Sequence, residues 1–244
     1  MINPTDGTPP ASTPTWPRAA IYFSPAADTP LHIFGSNWLG RDAISGALCH
    51  QPAIPGIDPQ RLHHLTRSPR RYGFHATLRA PFHPTDNVTI AQIIDHAAVI
   101  AHTQDCFEIP LHIENDKGFL ALTPRAPSAA LAALESALLT HFDPMVQPPS
   151  LTEITRRRRS NLSAVQDAHL LRWGYPYVLD QFNFHMTLSD RISDGDEAAF
   201  LLGQLNQHAA NIIAAPILFD AISVFVEAEK GGDFRAAARL PFNA

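Results

Sequence analysis

Cysteine is nearly missing from this 244-residue chain: Cys49 and Cys106 are the only two, and no CxxC pair occurs. That excludes a disulfide framework and a cysteine zinc ribbon, and it points to a reducing, cytoplasmic compartment. No apolar run reaches the roughly 18 residues of a membrane span. The best stretch, 212–226, is broken by Pro216 and Asp220, so no membrane partner is expected. Positive charge is short as well. Lys+Arg number 18 against 23 Asp+Glu, for a net charge of -5, which argues against a coat for nucleic acid or anionic lipid. The phosphate-cradling patterns GxxxxGK[ST] and GxGxxG are absent, as are HxxxH and HxE with PCxxC. Neither a cofactor nor a metal is expected.

What is present is 45% hydrophobic residues, enough for a core, together with 22 prolines and 13 histidines. Residues 1–18 hold five of the prolines with little apolar content and read as a disordered tail. Residues 19–244 read as a single domain, opening on a short strand at Ala19–Phe23.

An internal repeat organises that domain. Phe74-His75-Ala76-Thr77-Leu78 is followed by a helical pattern on Ile90, Ile93, Ile94 and Ala97. An alternating strand then carries Phe107, Ile109, Leu111 and Ile113. The turn Asn115-Asp116-Lys117-Gly118 leads to a strand opening at Phe119. Phe184-His185-Met186-Thr187-Leu188 begins the second copy. Its helix starts at Asp194 and Asp196 and continues through Ala198, Leu201, Leu205 and Ala209. A strand with Ile222, Val224 and Val226 follows, then the turn Lys230-Gly231-Gly232-Asp233 and a strand opening at Phe234. Between the copies, residues 128–172 read as a helical insert. The pattern predicts a duplicated α+β fold: two lobes related by a pseudo-two-fold, each an antiparallel sheet backed by helices, around a central cleft.

A strand alternates faces at every residue, so His75 and Thr77 point one way and Phe74, Ala76 and Leu78 the other. His185 and Thr187 repeat the arrangement. One such match is weak, and a histidine bonded to a neighbouring threonine would explain it. Two matches at equivalent places in a duplicated unit point to a shared site. Across a cleft, one imidazole can take a proton from an attacking hydroxyl while the other protonates the leaving oxygen. The threonine hydroxyls can bond the non-bridging oxygens of a phosphate.

The repeated His-hydrophobic-Thr-hydrophobic motif resembles that of the two-histidine phosphoesterase superfamily, which includes RNA ligase-like and cyclic phosphodiesterase proteins. Three further segments resemble one bacterial subgroup linked to phosphonate metabolism and often encoded beside carbon–phosphorus lyase genes. They are residues 34–42 (FGSNWLGRD), 69–73 (PRRYG) and 173–177 (WGYPY). The resemblance implies a bilobal fold and cyclic phosphate-ester chemistry, with His75, Thr77, His185 and Thr187 as the catalytic set.

Arg71 and Arg79 share the parity of His75 and Thr77 and are candidate phosphate binders. Tyr22, Tyr175 and Tyr177 are candidate substrate contacts. The run Arg156–Arg159 spreads around a helix and reads as a solvated face, with Glu153 spaced to pair Arg157 and an anion rim as the alternative. The expected function is metal-independent hydrolysis of a small cyclic phosphate or phosphodiester by a monomer. The alternatives are an RNA-end enzyme acting on a short RNA (a 2′,3′-cyclic phosphodiesterase or 2′–5′ ligase) and a non-catalytic module that binds a phosphorylated metabolite.

Overall fold

The computed structural model describes residues 17–243. Residues 1–16 of the expected tail lie outside the described residues, and Arg18 already belongs to the first strand. The strands are β1 (Arg18–Phe23), β2 (Ala76–Phe82), β3 (Phe107–Ile109), β4 (Leu111–Asp116), β5 (Phe119–Pro124), β6 (Met186–Thr187), β7 (Ile217–Phe219), β8 (Ala221–Glu227) and β9 (Phe234–Pro241). The helices are α1 (Pro30–Leu39), α2 (Pro59–Leu65), α3 (Arg67–Tyr72), α4 (Ile90–Ala101), α5 (Ala129–Phe142), α6 (Leu151–Arg158), α7 (Ala164–Trp173) and α8 (Gly195–Ala209).

The fold is α+β, with antiparallel pairing throughout. The strands do not form two sheets, however. A single seven-stranded sheet runs β4-β5-β6-β2-β1-β8-β9, and β3 and β7 make a separate pair. The first copy's hairpin, β4–β5, lies against the second copy's motif strand β6. The second copy's hairpin, β8–β9, sits on the other side, joined to β2 through β1. The helices cross over too: α4 packs on β8 and β9, and α8 packs on β4 and β5. The two copies are interleaved, and each completes the half-sheet of the other.

Local chemistry explains the elements. Thr89 and Gln92 close a capping box at the start of α4, and the Asp194 carboxylate caps α8. The insert resolves into α5, α6 and α7, with α6 and α7 each opened by a serine capping box. The single strand expected over 107–113 is cut by Pro110, which has no N–H to give a ladder, so β3 leaves for β7 while β4 joins the main sheet. At the β4–β5 turn Lys117 and Gly118 both have positive φ (52° and 100°), as a tight hairpin requires.

The main core lies on the helix side of the sheet and includes Ile21, Phe23, Ala76, Leu78, Met186 and Leu188. A smaller cluster of Ala20, Tyr22, Ala43, Phe225 and Phe234 lies on the opposite side. Side chains in β1 alternate between the two, so the second cluster floors the face on which the motif histidines stand.

Candidate active site

β2 and β6 are direct neighbours at the centre of the sheet, paired antiparallel with Ala76 opposite Met186. Both of those side chains are fully buried. Continuing the same register sets Thr77 opposite His185 and His75 opposite Thr187. Opposed residues in an antiparallel pair share a face, so the four polar side chains stand together on the side away from the main core. Burial follows that parity: His75, Thr77, His185 and Thr187 are partly buried, and the residues between and after them are buried. All four line one cavity of about 1330 Å³.

Each imidazole is oriented in the same way. His75 Nδ1 lies 2.9 Å from the Gly73 carbonyl, and His185 Nδ1 lies 2.9 Å from the Asn183 carbonyl. A carbonyl can only accept, so Nδ1 carries the proton in both rings and the neutral ring keeps its lone pair on Nε2. Thr77 Oγ1 sits 3.4 Å from His75 Nε2 and is placed to donate to it. The His75 ring also stacks on Tyr22, centroid to centroid 3.9 Å. Burial pushes its pKa from 6.5 down to about 4; the bond to the Gly73 carbonyl opposes the shift, and the charge of His185 adds to it.

Gly73 is required where it stands. Its φ is +79°, and a Cβ there would lie 2.2 Å from the Ala43 side chain. Its own N–H closes the end of α3 on the Pro69 and Arg70 carbonyls, and its carbonyl holds His75. Segment 34–42 braces this region. Trp38 donates its indole N–H to the Leu188 carbonyl at 2.8 Å. The buried Arg41 donates to the carbonyls of Arg70 and Phe234 at 3.0 and 2.6 Å.

The other sequence candidates divide. Tyr22 and Tyr175 line the cavity, and burial raises both phenol pKa values, so they remain protonated donors. Tyr177 packs its ring against Tyr175, is 39% exposed, and does not line the cavity. Arg71 lines it from the end of α3 but is ion-paired with the buried Glu227, which also takes Arg18 at 2.5 Å. The Arg71 Nε donates to the Gly232 carbonyl at 3.0 Å as well.

Arg79 is the clearest departure from parity. The β1–β2 register slips between the Ile21–Arg79 and Tyr22–Thr77 pairs, a bulge that breaks the alternation. Arg79 therefore leaves the histidine face and is buried beside a side chamber of about 270 Å³. There it donates to the Trp173 carbonyl at 3.4 Å, its Nε lacks a partner, and burial lowers its pKa to about 10.

The arginine run is not uniformly solvated. Arg158 pairs with Asp167 at 2.7 Å, but Arg156 and Arg157 line the cavity. The expected Glu153–Arg157 pair does not form. Glu153 instead accepts from the Ser150 N–H and hydroxyl at 3.2 and 3.1 Å, and Arg157 lies over the Tyr175 ring at 4.7 Å. Sequence reasoning favoured a solvated Arg157 and held the anion rim second; Arg156 and Arg157 are the two of the run that line the cavity. It missed Lys230, in the β8–β9 turn, and Tyr72, both on the cavity wall. Among the described residues no three His, Cys, Asp or Glu side chains gather as a metal-ligand set, and no helix is long and apolar enough to cross a membrane.

Fold and site together define an antiparallel α+β protein that presents two His-x-Thr pairs to one cavity. The chain belongs to the family described as "Protein of unknown function (DUF1045)", whose model matches residues 77–235 and so begins just past His75. It is 36% identical over 236 residues to the protein named "Ribose 1,5-bisphosphate phosphokinase PhnN" of Janthinobacterium sp. (strain Marseille), covering 95% of this chain and 52% of that one. It is 30% identical over 219 residues to the protein of the same name from Laribacter hongkongensis (strain HLHK9), covering 89% of this chain and 50% of that one. The chain spans about half the length of the curated relatives it matches.

Proposed function

We propose that this chain is a two-histidine phosphoesterase that opens a small cyclic phosphate ester carried on a phosphorylated sugar, in the service of phosphonate metabolism. The observation that carries the reading is the square of His75, Thr77, His185 and Thr187 formed by adjacent register positions of β2 and β6.

The roles follow from the rings. His75 is held neutral with Nε2 toward the cavity, so it accepts the proton of an attacking water. The water oxygen forms a bond to phosphorus as the bond to the in-line ring oxygen breaks. His185 enters as the imidazolium, its Nδ1–H kept on the Asn183 carbonyl, and gives that oxygen the proton from Nε2, leaving a hydroxyl and a phosphomonoester. Thr77 and Thr187 donate to the non-bridging oxygens as charge builds on them. Proton exchange with water restores both imidazoles.

The relatives' names support the substrate class, since ribose 1,5-bisphosphate is a phosphorylated sugar. We infer that the phosphokinase activity in those names belongs to the half of the longer proteins that this chain does not match. A kinase of that type uses a glycine-rich phosphate loop, and this sequence contains no GxxxxGK[ST].

The test is a panel of sugar and nucleoside cyclic phosphates followed by phosphorus NMR with the purified chain. Ring opening that disappears in His75→Ala and in His185→Ala is the expected result. Tight binding across the panel with no turnover would replace the enzyme by a phosphometabolite-binding module. Preference for oligonucleotide ends over sugar phosphates would move the activity to RNA.

A further inference from the structure

Five cationic side chains line the cavity: Arg18, Arg71, Arg156, Arg157 and Lys230. Arg18 and Arg71 share the carboxylate of Glu227. The other three have no carboxylate partner among the described residues. Arg157 is the most enclosed. Its guanidinium stacks on Tyr175, and the one carboxylate a helical turn away, Glu153, is committed to capping α6 at Ser150. Burial lowers the pKa of Arg157, opposed in part by Tyr175 and by Glu153, which approaches it without forming an ion pair. Arg157 also stands where the cavity meets the side chamber, since it, Tyr175 and His83 line both. Two carboxylates, Glu153 and Glu227, line the cavity beside these five cations, and the remaining excess of positive charge, in a chain of net charge -5 and next to a phosphate-directed site, calls for an anion.

We propose that Arg157, with Arg156 and Lys230, forms a second anion subsite that receives a terminal phosphate of the substrate, apart from the phosphate that reacts between the histidines. The proposal rests on the phosphoesterase reading and narrows it: the substrate is a cyclic phosphate ester that also carries a phosphomonoester. Arginine stacked on a tyrosine presents its N–H fork edge-on, the geometry for a dianionic phosphate. Placing that remote group fixes the ring phosphate against His75 and His185.

The experiment compares wild type and Arg157→Gln on adenosine 2′,3′-cyclic phosphate with and without a 5′-phosphate. Ribose 5-phosphate binding is measured in parallel by calorimetry. Wild type should favour the doubly phosphorylated ester, and Arg157→Gln should cut the ratio of the two kcat/KM values by about 10- to 100-fold. Arg156→Gln, on the exposed side of α6, should cut it less, and Arg158→Gln, ion-paired with Asp167 outside the cavity, should not move it. No wild-type preference, or an equal fall on both esters in Arg157→Gln, would overturn the subsite. If neither ester is opened, the phosphoesterase reading fails while calorimetry still decides the subsite. Ribose 5-phosphate binding that Arg157→Gln weakens upholds it, and absent or unaffected binding overturns it.

Discussion

Replacing His75 by Asn removes one titrating ring while keeping an N–H that can reach the Gly73 carbonyl, and the consequence for stability can be worked out. The native imidazole protonates at about 4 against an ordinary 6.5. Between those values the unfolded chain takes up a proton that the native state refuses. The stabilisation is therefore intact above pH 6.5 and is lost as pH falls toward 4. At about 1.4 kcal/mol per tenfold change in proton affinity, the loss reaches at most about 3 kcal/mol, and less where water reaches the partly buried ring. Urea denaturation at pH 7.5, 6.5, 5.5 and 4.5 reads it directly. Wild type should lose about 2–3 kcal/mol more than His75→Asn across that range, because the variant lacks the ring whose protonation the fold opposes. Parallel curves would refute the buried, neutral imidazole and with it the assignment of His75 as base.

Three further outcomes are expected. His75→Ala and His185→Ala should each lower kcat on a cyclic phosphate by roughly 10²–10⁴-fold, and the double variant should fall far short of the product of the singles, because the two rings act as a unit. Gly73→Ala meets Ala43 and a left-handed backbone, so it should lower stability by about 1–3 kcal/mol and reduce kcat further by shifting the carbonyl that orients His75; a crystal structure or histidine NMR checks the ring. Glu135 is buried on α5, and burial raises its pKa to about 7 against the opposing Leu179 N–H and Arg79. Wild type should thus lose up to about 3 kcal/mol as pH rises from 4.5 to 7, a loss that Glu135→Gln abolishes in the same urea titration.

Much of the site was readable because its signals are local. The period-2 alternation of His75 to Leu78 and His185 to Leu188 shows in the burial of both segments, and the helices expected from Ile90, Ser128 and Asp194 begin at Ile90, Ala129 and Gly195. The merging of two expected sheets into one was not readable. Which hairpin lies beside which motif strand is decided by contacts more than sixty residues apart, as in β5 against β6, and periodicity carries no such information. Parity failed at Arg79 because a bulge is invisible in a side-chain pattern. Four consecutive helical arginines cannot all converge, yet Arg156 and Arg157 both reach the cavity.

The reciprocal exchange of hairpins and helices has a consequence for how such a chain can be divided. A fragment ending in the α5–α7 segment would hold β2 and the β4–β5 hairpin but not β6, the strand that joins them in the sheet. Its helix α4 would have no β8–β9 surface to cover, and the complementary fragment would be left with α8 uncovered in the same way. Neither piece closes a core alone, and each is the template the other lacks. Split there and mixed, the two pieces regain the square of histidines and threonines only on association, which makes the site itself a reporter of fragment complementation. The square of histidines and threonines therefore lies where the two pieces meet, at the β2–β6 seam.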